Sequence, residues 1–225
     1  MKSQFPSEIR DRIEACGVVA VLVIDEVEHA VPLAQALLAG GIDVMELTLR
    51  TPAAIGSLRV IRRETPGMLA GIGTILTPEQ VQEVVDSHAA FGVAPGLNVR
   101  VVKAAQAAGL PFAPGVATPS DLEAAMELGC REVKFFPAEP LGGMRYLSSL
   151  AAPYGHLGVR FIPLGGLTAE NMQNYLTDPI VTAIGGSWLA PRKLIQAQDW
   201  KAITERAAEA RRNVDEMRNS KAARN

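Results

Sequence analysis

Short hydrophobic runs recur along the chain at intervals of roughly 20 to 27 residues, and longer alanine-rich stretches with a helical repeat of apolar positions lie between them. The runs are GVVAVLVI from Gly17, DVMELTL from Asp43, LAGIGTI from Leu69, AFGVAP from Ala90, PFAPGVA from Pro111, EVKFFPA from Glu132, VRFIPLGG from Val159 and VTAIGGSW from Val181. Each run has the length and composition of a buried strand. The pattern therefore predicts about eight consecutive βα units.

Four of the intervening stretches show the features of helix ends. They are His29–Gly41, Thr77–His88, Asn98–Gly109 and Thr118–Gly129. Three of them stop at glycine, the residue that commonly follows a helix. Thr77 and Ser120 lie where N-caps are expected, with Gln80 and Glu123 three residues later in the spacing of a capping box.

Alternation of strands and helices without hairpin signals predicts a parallel sheet, and eight repeats predict its closure into a barrel. The expected fold is thus α/β, a single (β/α)8 TIM barrel over residues 1–225 with an extra N-terminal helix. The alternative is an open doubly wound sheet, which would place a glycine-rich GxGxxG turn after the first strand. The segment VLVIDEVEHA, from Val21 to Ala30, contains no glycine and favours the barrel.

The C-terminal part of the chain predicts one last helix beyond Asp199, with Trp200, Ile203 and Ala207 on one face. Residues 214–225 are polar, and we expect this tail to be frayed.

Composition and charge favour a small-molecule partner. The 225 residues are 48% hydrophobic, and 22 Lys and Arg against 24 Asp and Glu give a net charge of −2, so neither nucleic acid nor a membrane surface is favoured. The two cysteines, Cys16 and Cys130, lack the spacing of a disulfide framework or zinc site and are expected to be reduced and buried. The first apolar run, Gly17–Ile24, has neither signal-peptide layout nor membrane-spanning length, which predicts a cytoplasmic protein.

The second predicted strand carries unexpected polar residues on one face. Glu46, Thr48 and Arg50 alternate along it and therefore share a side. Active sites of barrels lie at the carboxyl ends of the strands, so these residues are candidates for a site. The alternative is an ion pair between Glu46 and Arg50 that only orders the barrel mouth.

Lys134 is the candidate for covalent chemistry. It stands in the sixth predicted strand between Val133 and Phe135, and it shares a side of that strand with Glu132 and Phe136. Apolar surroundings disfavour the ammonium form of lysine and favour the neutral amine. A neutral amine attacks a ketone to form an iminium ion, which accepts electrons as a carbon–carbon bond breaks.

Pairs of glycines end the last two predicted strands. Gly165 and Gly166 follow the seventh strand, and Gly185 and Gly186 lie in the eighth, beside Ser187. Backbone amides in this part of a barrel commonly bind phosphate. The alternative is that glycine only permits tight βα turns.

Other catalytic classes lack their motifs. His29, His88 and His156 have no companions in metal-ligand spacing, so no metal site is expected. The chain contains no GxSxG, Cys–His or Walker motif. No cofactor is expected.

The motifs VMELTLRTP, GIGTIL, FGVAPGL, FAPGVATPS, VKFFPAE and IGGSW resemble, in order and spacing, those of the bacterial 2-keto-3-deoxy-6-phosphogluconate (KDPG) and 4-hydroxy-2-oxoglutarate aldolases, over nearly the whole chain. The resemblance implies that Lys134 forms the Schiff base and that Glu46 is the general acid and base. It implies that Arg50 and Thr74 hold the pyruvoyl carboxylate. It implies that Pro95 and Phe136 are walls of the pocket. It also implies a phosphate-binding end formed by Gly165, Gly166, Gly186 and Ser187.

The resemblance also implies a metal-independent homotrimer that cleaves KDPG reversibly to pyruvate and glyceraldehyde 3-phosphate. One departure is Leu164, because the family often has threonine before the glycine pair; we expect a changed preference at the aldehyde end. Aldolases for 4-hydroxy-2-oxoglutarate or 2-keto-3-deoxy-6-phosphogalactonate remain alternatives. From other classes, a non-catalytic phosphate-ligand barrel and a phosphate-binding isomerase also remain open.

Overall fold

Strands and helices alternate along the chain in the computed structural model, which describes residue 3 and residues 5–222, with side chains described up to residue 219. The strands are β1 (Val18–Leu22), β2 (Val44–Thr48), β3 (Leu69–Gly73), β4 (Gly92–Val93), β5 (Phe112–Ala113), β6 (Gly115–Val116), β7 (Glu132–Phe135), β8 (Arg160–Pro163) and β9 (Ile184–Gly186). The helices are α1 (Ser7–Cys16), α2 (Ala30–Ala39), α3 (Ala53–Glu64), α4 (Pro78–Asp86), α5 (Val99–Ala107), α6 (Pro119–Glu127), α7 (Gly143–Ala151), α8 (Met172–Leu176), α9 (Arg192–Gln196) and α10 (Trp200–Ala222).

The strands form two parallel sheets. One has the order β5-β4-β3-β2-β1-β9, and the other has the order β6-β7-β8. Isolated parallel bridges pair Phe161 with Val181 and Leu164 with Gly185, so β8 and its flanking residues lie beside β9. The sequence-based prediction of an α/β protein with consecutive parallel βα units is confirmed.

The fifth predicted run forms two strands instead of one. β5 and β6 are separated by Pro114 alone, and they belong to different sheets. Proline has no N–H to donate to a strand ladder, and its carbonyl accepts the amide of Lys134 at 2.9 Å. Pro114 is therefore the point at which the chain passes from one sheet to the other.

The helix starts agree with the predicted caps in one case and differ in the other. Thr77 caps α4 in a reciprocal capping box with Gln80, as predicted. The predicted cap at Ser120 is wrong, because α6 begins after Thr118, whose hydroxyl accepts the Asp121 amide at 3.2 Å. Pro119 explains the earlier start, since proline suits the first position of a helix.

The N-terminal segment covers the amino-terminal ends of the strands. Phe5 and Ile13 are only 4% and 2% exposed and line the interior between the sheets. Ser3 Oγ donates to Glu132 Oε2 at 2.5 Å, at the first residue of β7. The predicted extra N-terminal helix is α1, and together with Ser3 and Phe5 this helix closes that end of the molecule.

The last helix is longer and better packed than predicted. α10 lies close to the end of α2, where a Cβ on Gly40 would approach the Cβ of Ala207 to 2.4 Å. The tail expected to fray from Val214 is helical through Ala222, because Val214 is buried against the core and Arg218 donates to the carbonyls of Glu14 and Ala15. Residues 223–225 lie outside the described residues. Of the helices described, none is long and apolar enough to cross a membrane.

Both cysteines are buried free thiols, as predicted. Burial, with a smaller contribution from the Glu132 carboxylate, raises the pKa of Cys130 to about 11. Burial also raises the pKa of Cys16. Both thiols therefore stay protonated at neutral pH and serve as small apolar groups in the core.

Candidate active site

Lys134 and Glu46 meet in the space between the two sheets. Lys134 lies on β7 of the three-stranded sheet, and Glu46 lies on β2 of the six-stranded sheet. The lysine Nζ donates to Glu46 Oε1 at 3.2 Å, and the two residues are 6% and 2% exposed. The structure thus brings together two groups that are 88 residues apart in the sequence.

The surroundings of this pair are apolar. A cavity of about 20 Å³ opens beside it. Besides the pair, its wall is formed by Phe5, Ile13, Val19, Phe91, Val93, Ala113, Ile162 and Leu164. Separating two charges is costly in such surroundings, so the lysine and the carboxylate are held in contact with each other.

A close approach of the backbone makes room for the carboxylate. A Cβ on Gly73, the last residue of β3, would lie 1.7 Å from Glu46 Oε1, so no side chain fits there. The sequence analysis did not single out Gly73. The sequence does carry a signal for it, because a glycine inside a strand pattern often marks a site where another group approaches the backbone closely.

Arg50 and Thr74 lie at the carboxyl ends of β2 and β3. Arg50 is exposed, and its Nε donates to Thr48 Oγ1 at 3.3 Å. Arg50 makes no ion pair with any described residue, so the structural alternative of a Glu46–Arg50 pair is not found. Thr74 has a φ of 64°, a conformation that is costly for a β-branched residue and typical of functional sites.

Pro95 and Phe136 flank the lysine strand. The ring centroid of Phe136 lies 5.5 Å from Lys134 Nζ. Pro95 is half-buried, and a Cβ on Gly115 would lie 2.2 Å from its carbonyl carbon and oxygen. Because Gly115 is the strand partner of Lys134, this contact places Pro95 beside β6, the strand next to the lysine strand.

The two glycine pairs differ in role. Gly165 and Gly166 adopt positive φ values of 100° and 84°, as a sharp turn requires. A Cβ on Gly185 would lie 2.6 Å from Leu164 Cγ, so Gly185 accommodates that side chain. A Cβ on Gly186 would likewise collide with the Trp188 ring. Packing therefore explains why the second pair is glycine, while the first pair forms a turn in which Gly165 is half-buried and Gly166 is exposed.

Ser187 completes this end of the molecule. Ser187 is exposed and directly follows β9. The Leu164–Gly185 bridge brings the segment that follows β8 next to β9. Gly165, Gly166, Gly186 and Ser187 therefore lie at adjacent strand ends.

Comparisons with known proteins bear on the whole chain. The family model for KDPG and KHG aldolase matches residues 9–206. A 2-dehydro-3-deoxy-phosphogluconate aldolase from Dickeya dadantii (strain 3937) is 45% identical over 198 residues, which cover 88% of this chain and 92% of the relative. The chain belongs to the KDPG and KHG aldolase family.

Further relatives agree with this membership. The KHG/KDPG aldolase of Escherichia coli (strain K12) is 45% identical over 193 residues, covering 86% of this chain and 90% of that protein. The crystal structure of a KDPG aldolase from Legionella pneumophila superimposes with a TM-score of 0.85 at 39% identity, covering 90% of this chain and 97% of its own. That structure holds pyruvate captured at low pH as a covalent carbinolamine intermediate.

Proposed function

We propose that this protein is a class I aldolase, an aldehyde-lyase that cleaves KDPG reversibly to pyruvate and glyceraldehyde 3-phosphate through a Schiff base on Lys134. The observation that carries the proposal is the buried pair in which Lys134 Nζ lies 3.2 Å from Glu46 Oε1. An amine beside a carboxylate in an apolar cavity has the groups that iminium catalysis needs. Relatives that are 45% identical bear the name of this activity.

The proposed steps use these two groups in turn. Lys134 attacks the C2 ketone of the substrate, and loss of water gives an iminium ion. Glu46 takes the C4 hydroxyl proton as the C3–C4 bond breaks, and the bonding electrons pass to the iminium nitrogen to give an enamine and the aldehyde. Protonation of the enamine at C3 and hydrolysis then release pyruvate and restore the lysine.

The binding roles follow from position. Arg50 offers a guanidinium with no ion-pair partner among the described residues, and it suits the pyruvoyl carboxylate together with Thr74. Phe136 lies beside Lys134 and Pro95 lies beside the neighbouring strand β6, and both exclude water from the imine. Gly165, Gly166, Gly186 and Ser187 lie at adjacent strand ends and suit the phosphate group.

We also propose that the two sheets are parts of one closed (β/α)8 barrel, formed by residues 1–225 as a single domain. Three observations support closure: the bridges that pair residues around β8 with residues around β9, the single residue between β5 and β6, and the Lys134–Glu46 pair between the sheets. The proposal includes a cytoplasmic homotrimer. Sedimentation equilibrium tests the assembly, and a monomer would contradict it.

Reductive trapping tests the proposed chemistry. Incubation with pyruvate and sodium borohydride is expected to reduce the iminium and leave a stable adduct on Lys134, located by intact mass and peptide mapping. A non-catalytic phosphate-binding barrel or an isomerase needs no iminium and gives no such adduct. Adducts spread over exposed lysines alone would reject the aldolase proposal.

Leu164 favours a second candidate, an aldolase whose main substrate is 2-keto-3-deoxy-6-phosphogalactonate or 4-hydroxy-2-oxoglutarate. Its side chain is 4% exposed and lines the cavity beside Lys134 and Glu46. Leucine offers no hydroxyl to a substrate or to a water at this position. The part of the substrate beyond C3 therefore meets an apolar wall.

KDPG and 2-keto-3-deoxy-6-phosphogalactonate are epimers at C4. We expect Leu164→Thr to change the ratio of their kcat/KM values by about 5 to 10-fold, which is the effect of one hydrogen bond. Leu164→Val is the matched control, because valine has the shape of threonine without the hydroxyl. An unchanged ratio in Leu164→Thr, or an equal change in both variants, would show that no hydroxyl effect operates here.

A further inference from the structure

The turn after β8 is tied to the protein through its carbonyl groups. The Gly165 carbonyl accepts the backbone amide of Glu139 at 3.0 Å. The Gly166 carbonyl accepts the side-chain Nδ2 of Asn171 at 3.1 Å. Two consecutive carbonyls of the turn therefore have hydrogen-bond donors, one a backbone amide and the other a side-chain amide.

The orientation of these carbonyls determines where the next amides point. In a trans peptide the C=O of one residue and the N–H of the next lie on opposite sides. The N–H groups of Gly166 and Leu167 must then point away from Glu139 and Asn171. Within the described residues, neither of these N–H groups donates a hydrogen bond to an acceptor.

Asn171 holds the turn at two points. Besides donating to Gly166, its Oδ1 accepts the Thr168 amide at 2.8 Å. The asparagine side chain thus spans the turn from Gly166 to Thr168. Without it, this peptide could rotate more freely, because Gly166 has no Cβ to restrict its backbone.

The side chain of Glu139 packs against the turn that follows β8. A Cβ on Gly166 would lie 2.7 Å from Glu139 Cβ, so the glycine packs directly on that side chain. Tyr175 Oη donates to Glu139 Oε1 and fixes the carboxylate. Burial and the hydrogen bond to Glu139 raise the pKa of Tyr175, so the phenol remains a donor.

We propose that Asn171 is a positioning residue for the terminal phosphate of the substrate: by holding the Gly166 carbonyl it orients the amide of Leu167 toward the anion, next to the Gly166 amide, whose peptide is held by the bond from Glu139. Successive backbone amides that point to one side form an anion site without needing a cationic side chain. The inference rests on the proposed function, and it deepens that function by naming the residue that orients the phosphate turn.

The test compares a phosphorylated substrate with its unphosphorylated form. For Asn171→Ala we expect the KM for KDPG to rise about 10-fold, the effect of losing about one well-oriented hydrogen bond, with kcat within about 2-fold. The KM for 2-keto-3-deoxygluconate is expected to stay within about 2-fold, because that substrate has no phosphate. A general loss of folding would affect both substrates alike.

Two further variants sharpen the comparison. Asn174→Ala is the matched control, because Asn174 lies one turn further along α8, is exposed, and its side chain makes no hydrogen bond to the described residues. Asn171→Asp keeps an acceptor for the Thr168 amide but loses the donor to Gly166, and it is expected to weaken KDPG binding at least as much as alanine does. If Asn171→Ala does not fold, an unchanged KM for KDPG in Asn171→Asp still rejects the proposal, because this variant both loses the donor and adds a negative charge near the phosphate.

Pyruvate trapping on each variant separates the two proposals. If the unmodified enzyme forms no Lys134 adduct, the proposed function fails. If the adduct forms in every variant but the KM ratio of the two substrates is unchanged by Asn171→Ala or Asn171→Asp, only the role of Asn171 is rejected. An equal rise in KM for both substrates also rejects it.

Discussion

Replacing Lys134 by methionine is expected to lower kcat for KDPG cleavage by roughly 10⁴ to 10⁶-fold, the typical effect of removing a covalent nucleophile. Methionine has nearly the length of lysine and suits the apolar cavity, but it cannot form an iminium ion. The borohydride-dependent pyruvate adduct should disappear from the peptide that contains residue 134. Turnover and intact mass measure the two effects independently.

The substitution also leaves Glu46 buried without its partner. Removing one member of a buried ion pair costs about 3 to 5 kcal/mol, unless the carboxylate takes up a proton. Chemical denaturation measures this cost and shows whether the variant is folded during the assay. Lys103→Met is the matched control, because Lys103 is exposed on α5 and should keep both turnover and adduct. Substantial turnover in Lys134→Met would contradict the Schiff-base mechanism.

The second large effect is expected for Glu46→Gln, which keeps the shape of the side chain and removes its ability to accept a proton. We expect kcat to fall about 10² to 10⁴-fold, the range for loss of a general acid or base. The amine of Lys134 remains, so a pyruvate adduct still forms on it, but more slowly. Single-turnover rates and the rate of proton exchange at the pyruvate methyl group measure the lost proton transfer.

Glu132→Gln is the control for burial of a carboxylate. Glu132 is 4% exposed on the same strand as Lys134, but it binds Ser3 at the amino-terminal end, two residues before the lysine. We expect this variant to change stability and to leave kcat within a few-fold of the unmodified enzyme. Equal losses of kcat in the two variants would indicate that Glu46 contributes structure and not proton transfer.

The periodicity of the sequence predicted most of the fold because each βα unit is encoded locally. Every predicted run contains a strand. The runs could be told apart from the helices because buried strands and amphipathic helices differ in the period of their apolar residues, and the alternation of the two predicted parallel pairing. The division of the fifth run at Pro114 was not predicted, although proline is a known interruption of strands. The helical end of the chain was missed because Val214 and Arg218 gain partners only when distant segments pack.

The candidate site was predictable where a polar residue interrupts an apolar strand, as Lys134 and Glu46 do. Both residues were candidates from the sequence, and the structure brings Lys134 Nζ to 3.2 Å from Glu46 Oε1. Gly73 and Asn171 were not singled out, because their importance depends on which atoms approach them in space. Gly185 stood out in the sequence as part of a glycine pair. The physical reason for this glycine, room for the Leu164 side chain, becomes visible only in the structure.

Closure of the amino-terminal end has a kinetic consequence. Phe5, Ile13 and the Ser3–Glu132 contact block that side of the interior, so reactants enter and leave past the carboxyl ends of the strands. In the proposed mechanism, breaking the C3–C4 bond frees the aldehyde, while the pyruvate fragment stays bonded to Lys134 until the iminium is hydrolysed. We therefore expect the aldehyde to depart first and pyruvate second, an ordered release in which excess pyruvate favours the synthetic direction.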